Sequence, residues 1–272
     1  MGAGELDHDV LRAGGLRFEQ RGPVAPVTLD RPATRNSQTP ATWDALRLVG
    51  ASLGPEVRAV VVTGAGDTFS SGLDRSMLPG GGASMLEDLS DQRAADTIAS
   101  WQEGFTWLRR PDLVTVASVR GAAVGAGFQL ALACDLRVLS DSARFSMREP
   151  LLGLVPDLTG TKPLVELVGF SRALEICGTG RWVLADEARE IGLATAVVAT
   201  EELDGTVDDL VAALTGPPRG AIVETKALLQ SAAGLSLDDQ RLAEREAQVR
   251  RLRELAGTAE DPHPPHVQQQ GR

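Results

Sequence analysis

The stretch running from Val119 to Glu149, VRGAAVGAGFQLALACDLRVLSDSARFSMRE, constrains the fold more than any other part of the chain. An extended Val/Thr/Ser run breaks at Gly121, passes a turn of small residues at Gly125-Ala126-Gly127, and continues as an apolar, helix-like segment that closes near Asp135. Small residues at a strand-to-helix turn leave backbone N–H groups uncovered and pointing outward, an arrangement that holds a negative oxygen without a charged side chain. The segment fails as a dinucleotide fingerprint, because the third glycine would fall at Leu130.

The same grammar extends along the chain. Residues 16–30 read as a hairpin broken at Gly22-Pro23. Thr39-Pro40 reads as an N-cap with proline in the first turn of a helix running to about Leu53. Val57–Thr63 is a buried β-branched strand closed by Gly64-Ala65-Gly66, followed by a second turn of small residues at Phe69-Ser70-Ser71-Gly72-Leu73-Asp74. Residues 78–84 (LPGGGAS) have the composition of a flexible pocket lid, and residues 86–109 carry Ile98, Trp101, Phe105 and Leu108 at helical spacing. Leu113–Val119, Leu136–Leu139, Arg144–Ser146 and Ala196–Val198 read as strands, and segments near 161–168, 171–179 and 185–192 as helices. The alternation predicts an α/β architecture, with residues 16–215 as its core after an N-terminal segment 1–15. Gly216-Pro217-Pro218 then introduces a helical region, 216–256, and the polar, proline-rich stretch 257–272 is expected to be disordered. No repeat of fixed period is visible.

Composition excludes several functions. With 37 acidic and 27 basic residues, the net charge of −10 argues against nucleic acid or anionic lipid as a partner. No apolar run approaches the ~18 residues of a membrane span, and the acidic start MGAGELDHDV lacks a signal-peptide pattern, so a cytoplasmic protein is expected. Cys134 and Cys177 lack metal-ligand spacing and are expected to be buried, inert thiols, with no metal site. All three histidines lie in polar end segments and tyrosine is absent, so proton transfer must rest on carboxylates or lysines.

The pairing of Gly66-Asp67-Thr68-Phe69-Ser70-Ser71-Gly72-Leu73-Asp74 with Gly121–Asp135 resembles the enoyl-CoA hydratase/isomerase (crotonase) family. Arg31-Pro32 before Arg35-Asn36, and Gly192-Leu193 before Val197-Val198, extend the resemblance over about residues 16–255. It implies a crotonase-like α/β spiral of repeated β-β-α units with a C-terminal helical region. It also implies a homotrimer or dimer of trimers and an acyl-CoA thioester as ligand, with coenzyme A arriving as part of the substrate and no separate cofactor. The oxyanion-hole N–H groups would be those of Leu73 and Ala126. Arg35, Ser71, Gly72, Asp74 and Gly125 would contact the CoA thioester.

Hydratases of the family carry two glutamates, which here align with Gln129 and Glu149. An amide accepts no proton at neutral pH, so two-glutamate hydration is disfavoured. Asp157, in Gly153-Leu154-Val155-Pro156-Asp157, stands where dienoyl-CoA isomerases of the family also carry an acid. The resemblance therefore implies double-bond isomerisation with Glu149 as principal acid/base, Asp157 as the second, and Gln129 as a hydrogen-bonding positioner among the catalytic residues. The alternatives are hydration by Glu149 alone and a non-catalytic acyl-CoA binder, and a carrier-protein thioester could replace free CoA. Two structural roles compete at the residue level: an ion pair of Glu149 with Arg148 or Arg144, and Asp157 as a helix N-cap. A dehalogenase using Asp157 as nucleophile is disfavoured by the placement of the histidines.

Overall fold

The computed structural model describes residues 7–77, 86 and 88–257. A short helix α1 (His8–Ala13) leads into the hairpin of β1 (Leu16–Phe18) and β2 (Val24–Leu29). Helix α2 (Pro40–Ser52) starts at Thr39, whose N–H donates to Thr42 Oγ1 at 3.1 Å, with proline in the first turn as its sequence predicts. Then follow β3 (Ala59–Gly64), α3 (Asp91–Thr106), β4 (Val114–Val119), β5 (Ala122–Val124), α4 (Ala126–Ala133), β6 (Leu136–Ser140) and β7 (Arg144–Ser146). After a 3-10 turn at Glu149–Leu152 come α5 (Thr161–Val168), α6 (Phe170–Thr179), β8 (Val183–Leu184), α7 (Ala185–Glu190), β9 (Ala196–Val198) and α8 (Leu203–Thr215).

The long sheet has the order β1-β2-β3-β4-β6-β9, with only the β1–β2 pair antiparallel. Every residue of β4 is buried, which is why its sequence is a continuous Val/Thr/Ala/Ser run rather than an alternating one. A second sheet, β5-β7-β8, stands beside it. After each of β3, β4 and β6 the chain leaves the long sheet and lays a short extended piece parallel to the previous one. Ser70 bridges Ala123, and Ala122–Val124 pair with Arg144–Ser146. These are the repeated β-β-α units. They escape detection as a sequence repeat because the pieces between them differ in length, and backbone pairing imposes no residue identity.

The larger hydrophobic cluster contains Leu46, Phe105, Phe128 and Phe145, each fully buried. A smaller one joins Ala59, Val116 and Val138 of the long sheet to Leu203, Val207 and Val211 of α8. The sequence reading missed α8, because Gly205 and three aspartates interrupt it, yet its buried residues recur every fourth position and give one apolar stripe. Helices α2 and α3 approach closely: Trp43 and Trp101 lie 5.1 Å apart, and a Cβ at Gly104 would fall 2.5 Å from the Trp43 carbonyl oxygen. Arg137 is buried; its guanidinium donates to the backbone oxygens of Ala131, Cys134, Asp135 and Leu193, closing the carbonyl end of α4. Cys134 is buried as expected, whereas Cys177 is only half-buried; burial still pushes its thiol pKa up, so it stays protonated and inert.

The chain divides into a unit ending at Gly216 and another starting at Pro217. The second contains α9 (Arg219–Ala232) and α10 (Leu237–Leu255), linked by a bidentate ion pair from Arg250 to Glu224 at 2.7 and 2.8 Å. The expected lid at 78–84 and the tail after Gly257 lie outside the described residues. Among the described residues no helix is long and apolar enough to cross a membrane.

Two outcomes follow from this packing. Gly104→Val forces a side chain into the Trp43 backbone and is expected to destabilise the protein by about 1–3 kcal/mol, read by urea unfolding. Asp74 accepts from Ser76 N–H, Ser37 Oγ, Ser76 Oγ and Arg31, which together hold its pKa at about 2. A depressed carboxylate stabilises the fold above its unfolded value and loses that contribution as pH falls through the folded one. The stability difference between wild type and Asp74→Asn, on the order of 1 kcal/mol after solvent screening, should therefore vanish between about pH 4 and pH 2 in acid titration of the unfolding midpoint.

Candidate active site

The first turn is built around Gly72, at φ +85°. Gln38 N–H donates to Gly72 O and Asp74 N–H to Gln38 O, both at 2.8 Å, so Gln38 bonds the chain on either side of Leu73. In such a parallel bridge the intervening residue's own N–H points to the opposite edge. No described residue accepts from Leu73 N–H. Behind the turn runs a buried polar chain: Trp43 Nε1 donates to Gln38 Oε1 (2.9 Å), Gln38 Nε2 to Ser70 Oγ (3.0 Å), and Ser70 Oγ to Asn36 O (2.7 Å).

The second turn is Gly125, at φ +49° and ψ −118°, which opens α4. Its N–H donates to Ser146 O and its carbonyl accepts from Gln129 N–H, both at 2.9 Å. Ala126 is the first helical residue, and its N–H likewise has no acceptor among the described residues. The two turns touch: a Cβ at Gly72 would lie 2.5 Å from Val124 O and 3.5 Å from Ala126 N. The two N–H groups without an acceptor among the described residues thus belong to backbone segments in contact, that of Ala126 at the positive end of α4.

They open onto a cavity of about 320 Å³. Its lining includes Ser71, Gly72, Leu73, Gly125 and Ala126 from the turns, Trp43, Ile98 and Trp101 from α2 and α3, and the two acids Glu149 and Asp157. The tryptophans and Ile98 are contributions that sequence reasoning took only for core; their helical spacing gave no sign of which apolar residues would border a void.

Glu149 lies over the second turn, where a Cβ on Gly125 would fall 3.1 Å from its Oε1. Gln129, fully buried one helical turn into α4, donates through Nε2 to Glu149 Oε1 at 2.7 Å. Oε2 of Glu149 is buried with no hydrogen-bond partner among the described residues. Burial, and then the neighbouring charge of Asp157, push the Glu149 pKa above the usual carboxylate range. Burial pushes Asp157 up as well. Neither competing structural role survives. Arg148 and Arg144 stack on the Trp182 ring at 4.7 and 4.6 Å rather than pairing with Glu149. Helix α5 is capped at Gly160 with no side-chain acceptor, so Asp157 is not its N-cap.

Of the residues expected to contact CoA, Ser71, Gly72 and Gly125 line the cavity, whereas Arg35 and Asp74 do not. Arg35 is exposed in a left-handed turn (φ +53°) and accepts from Ser71 N–H at 2.8 Å through its carbonyl. The Asp74 carboxylate is engaged by Arg31, Ser37 and Ser76, so it braces the turn rather than presenting a free acceptor. Among the described residues no group of three or more His, Cys, Asp or Glu side chains could hold a metal ion.

Comparison with known proteins agrees with this architecture. The enoyl-CoA hydratase/isomerase family profile matches residues 19–256. A short-chain-enoyl-CoA hydratase of Clostridium acetobutylicum is 32% identical over 74% of this chain and 75% of its own. A peroxisomal Δ(3,5)-Δ(2,4)-dienoyl-CoA isomerase of Arabidopsis thaliana is 30% identical over 68% of each. Among solved structures, a Thermobifida fusca YX protein provisionally assigned as an enoyl-CoA hydratase, in complex with CoA, superposes with a TM-score of 0.87 at 50% identity, covering 92% of this chain and 98% of that one. The same protein with acetoacetyl-CoA gives 0.87 at 49% identity over 92% and 99%. With two glycine turns meeting over one cavity and these matches spanning most of its length, the chain belongs to the enoyl-CoA hydratase/isomerase family.

Proposed function

We propose that this protein isomerises the double bond of an enoyl- or dienoyl-CoA thioester through an enolate held by the N–H groups of Leu73 and Ala126. Binding of CoA and acetoacetyl-CoA by the Thermobifida fusca relative supports a CoA thioester as ligand. The carrying observation is that two carboxylates with raised pKa values border the cavity beside the free N–H pair, while the position of a second hydratase glutamate holds Gln129. In the mechanism, ionised Glu149 takes the proton α to the thioester carbonyl. The electron pair moves onto the carbonyl oxygen, where two preorganised donors meet it; losing one such donor costs ~3–4 kcal/mol of barrier. Asp157, whose pKa burial raises, delivers in its protonated form a proton to the far end of the conjugated system, and the electron pair returns as the shifted double bond. Proton exchange between the acids and solvent resets the pair. No activated water is consumed.

Hydration by Glu149 alone is the second reading, favoured by the hydratase name of the Clostridium acetobutylicum relative. Incubation with 2-enoyl, 3-enoyl and 3,5-dienoyl thioesters, followed by thioester absorbance, separates the two. Isomerisation of the 3-enoyl or dienoyl substrate is expected, and turnover only by water addition to the 2-enoyl thioester would overturn it.

Glu149→Gln is expected to lower kcat about 10²–10⁴-fold with little change in thioester binding. The pH profile of kcat should be a bell, its acid limb set by ionisation of the pair to the base form and its alkaline limb by loss of the proton that Asp157 delivers. The two limbs belong to the coupled pair, and Asp157→Asn should abolish the alkaline limb. Gly125→Ala should abolish activity in a protein that still folds, because it combines a positive φ with a contact against the Glu149 carboxylate; circular dichroism and turnover check both halves.

A further inference from the structure

Gln129 does more than occupy the place of a missing acid. Its Oε1 accepts from Leu158 N–H at 2.9 Å and from Gly160 N–H at 3.2 Å. These two backbone donors fix which end of the amide is which, because an NH2 group could not accept from them. Nε2 is therefore the end that faces Glu149 Oε1, at 2.7 Å. One buried amide, on the helix that carries the Ala126 N–H, thus grips the 3-10 turn bearing Glu149 on one side and the loop bearing Asp157 on the other. The fit is tight: a Cβ on Gly160 would fall 2.7 Å from Gln129 Cγ, so the glycine there lets the loop reach the amide. Thr159, between the two donor residues, is held at φ +70°, a conformation that β-branched residues rarely adopt and that persists only where surrounding contacts enforce it. The Asp157 carbonyl is anchored separately by Gln102 Nε2 at 2.6 Å.

Resting on the isomerase reading, we infer that Gln129 is a positioning residue that fixes both carboxylates at once and gives the two oxygens of Glu149 different jobs, Oε1 as a permanent acceptor and Oε2 as the oxygen that exchanges the proton. Oε1 is committed to the Gln129 N–H and carries no proton. Oε2 is buried without a partner among the described residues, so whenever Glu149 takes up a proton Oε2 is the oxygen that receives it; Oε1 already has a donor facing it. A glutamate at 129 would keep both backbone donors but would turn an acceptor toward Oε1, erasing the distinction. The groups facing Glu149 are Gln129 from α4, Asp157 from the loop and Cys177 from α6, while the Arg148 side chain is turned away onto Trp182. Of these only Gln129 donates a side-chain hydrogen bond to the carboxylate.

The test compares wild type with Gln129→Leu and Gln129→Glu. It reads the Glu149 carboxyl titration by 13C NMR of glutamate-labelled protein, assigned by difference with Glu149→Gln, and hydrogen exchange of the Leu158 and Gly160 amides. In Gln129→Leu the Glu149 midpoint should move upward, because a donor to its ionised form is lost. Both amides should exchange at least about tenfold faster, and kcat should fall about 100-fold with a smaller change in KM. Gln129→Glu should keep the amide protection and raise the Glu149 midpoint, which separates loss of the donor from loss of the loop and serves alone if Gln129→Leu does not fold. An unchanged Glu149 midpoint in either folded variant, or unchanged amide protection in Gln129→Leu, would overturn the inference. These readouts do not depend on the reaction: wild type that only hydrates would sink the isomerase reading and leave the titration result standing.

Discussion

Two glycine turns that approach until no side chain fits between them set the terms for this protein. A Cβ at Gly72 would strike the Val124 carbonyl, and at Gly127 it would fall 2.6 Å from Ser70 Cβ, so the segments after β3 and after β4 lie backbone to backbone. That proximity, maintained by the Ser70–Ala123 bridge, sets the segments that carry the Leu73 and Ala126 N–H groups side by side. Backbone donors fixed in this way need no reorganisation when negative charge develops on a nearby oxygen. The buried chain from Trp43 through Gln38 to Ser70 keeps the first turn rigid, and the Arg137 guanidinium closes the far end of the helix that supplies the second. The polar residues of this interior thus support backbone geometry.

The acids depend on the same frame. Glu149 follows β7, which pairs with β5, and so it arrives directly over Gly125. Asp157 follows through a loop fastened to α4 by Gln129. The low-polarity cavity wall raises both pKa values. Placing an amide where a third carboxylate could stand keeps the local negative charge to two groups and supplies a donor that an ionised acid would lack.

Much of the frame was legible in the chain. Strands β4, β7 and β9 and helices α2 and α5 follow from β-branched runs, proline-led helix starts and apolar spacing. Both small-residue turns follow from Gly72 and from Gly125-Ala126-Gly127. Helix α8 was not legible, because its stripe of Leu203, Val207 and Val211 is diluted by Gly205 and acids, and only the sheet it covers makes that stripe a core face. Nor was the cavity role of Trp43 and Trp101, since an apolar residue beside a void has the same sequence signature as one in a packed core. The resemblance implies Asp74 as a ligand contact, but three neighbours engage its oxygens.

By itself the sequence determined the chemistry available: small-residue turns that expose N–H groups, carboxylates without an internal histidine or any tyrosine, and an amide at 129. These are properties of residue type and local conformation, which the chain carries wherever it folds. Tertiary structure alone decided how those groups are shared. Whether Glu149 pairs with arginine or stays unpaired, whether Asp157 caps a helix or borders the cavity, and which end of Gln129 faces the base all depend on residues 20 or more positions apart in the chain meeting at hydrogen-bond distance. Hydrogen bonding and burial act through space, and no local pattern records them.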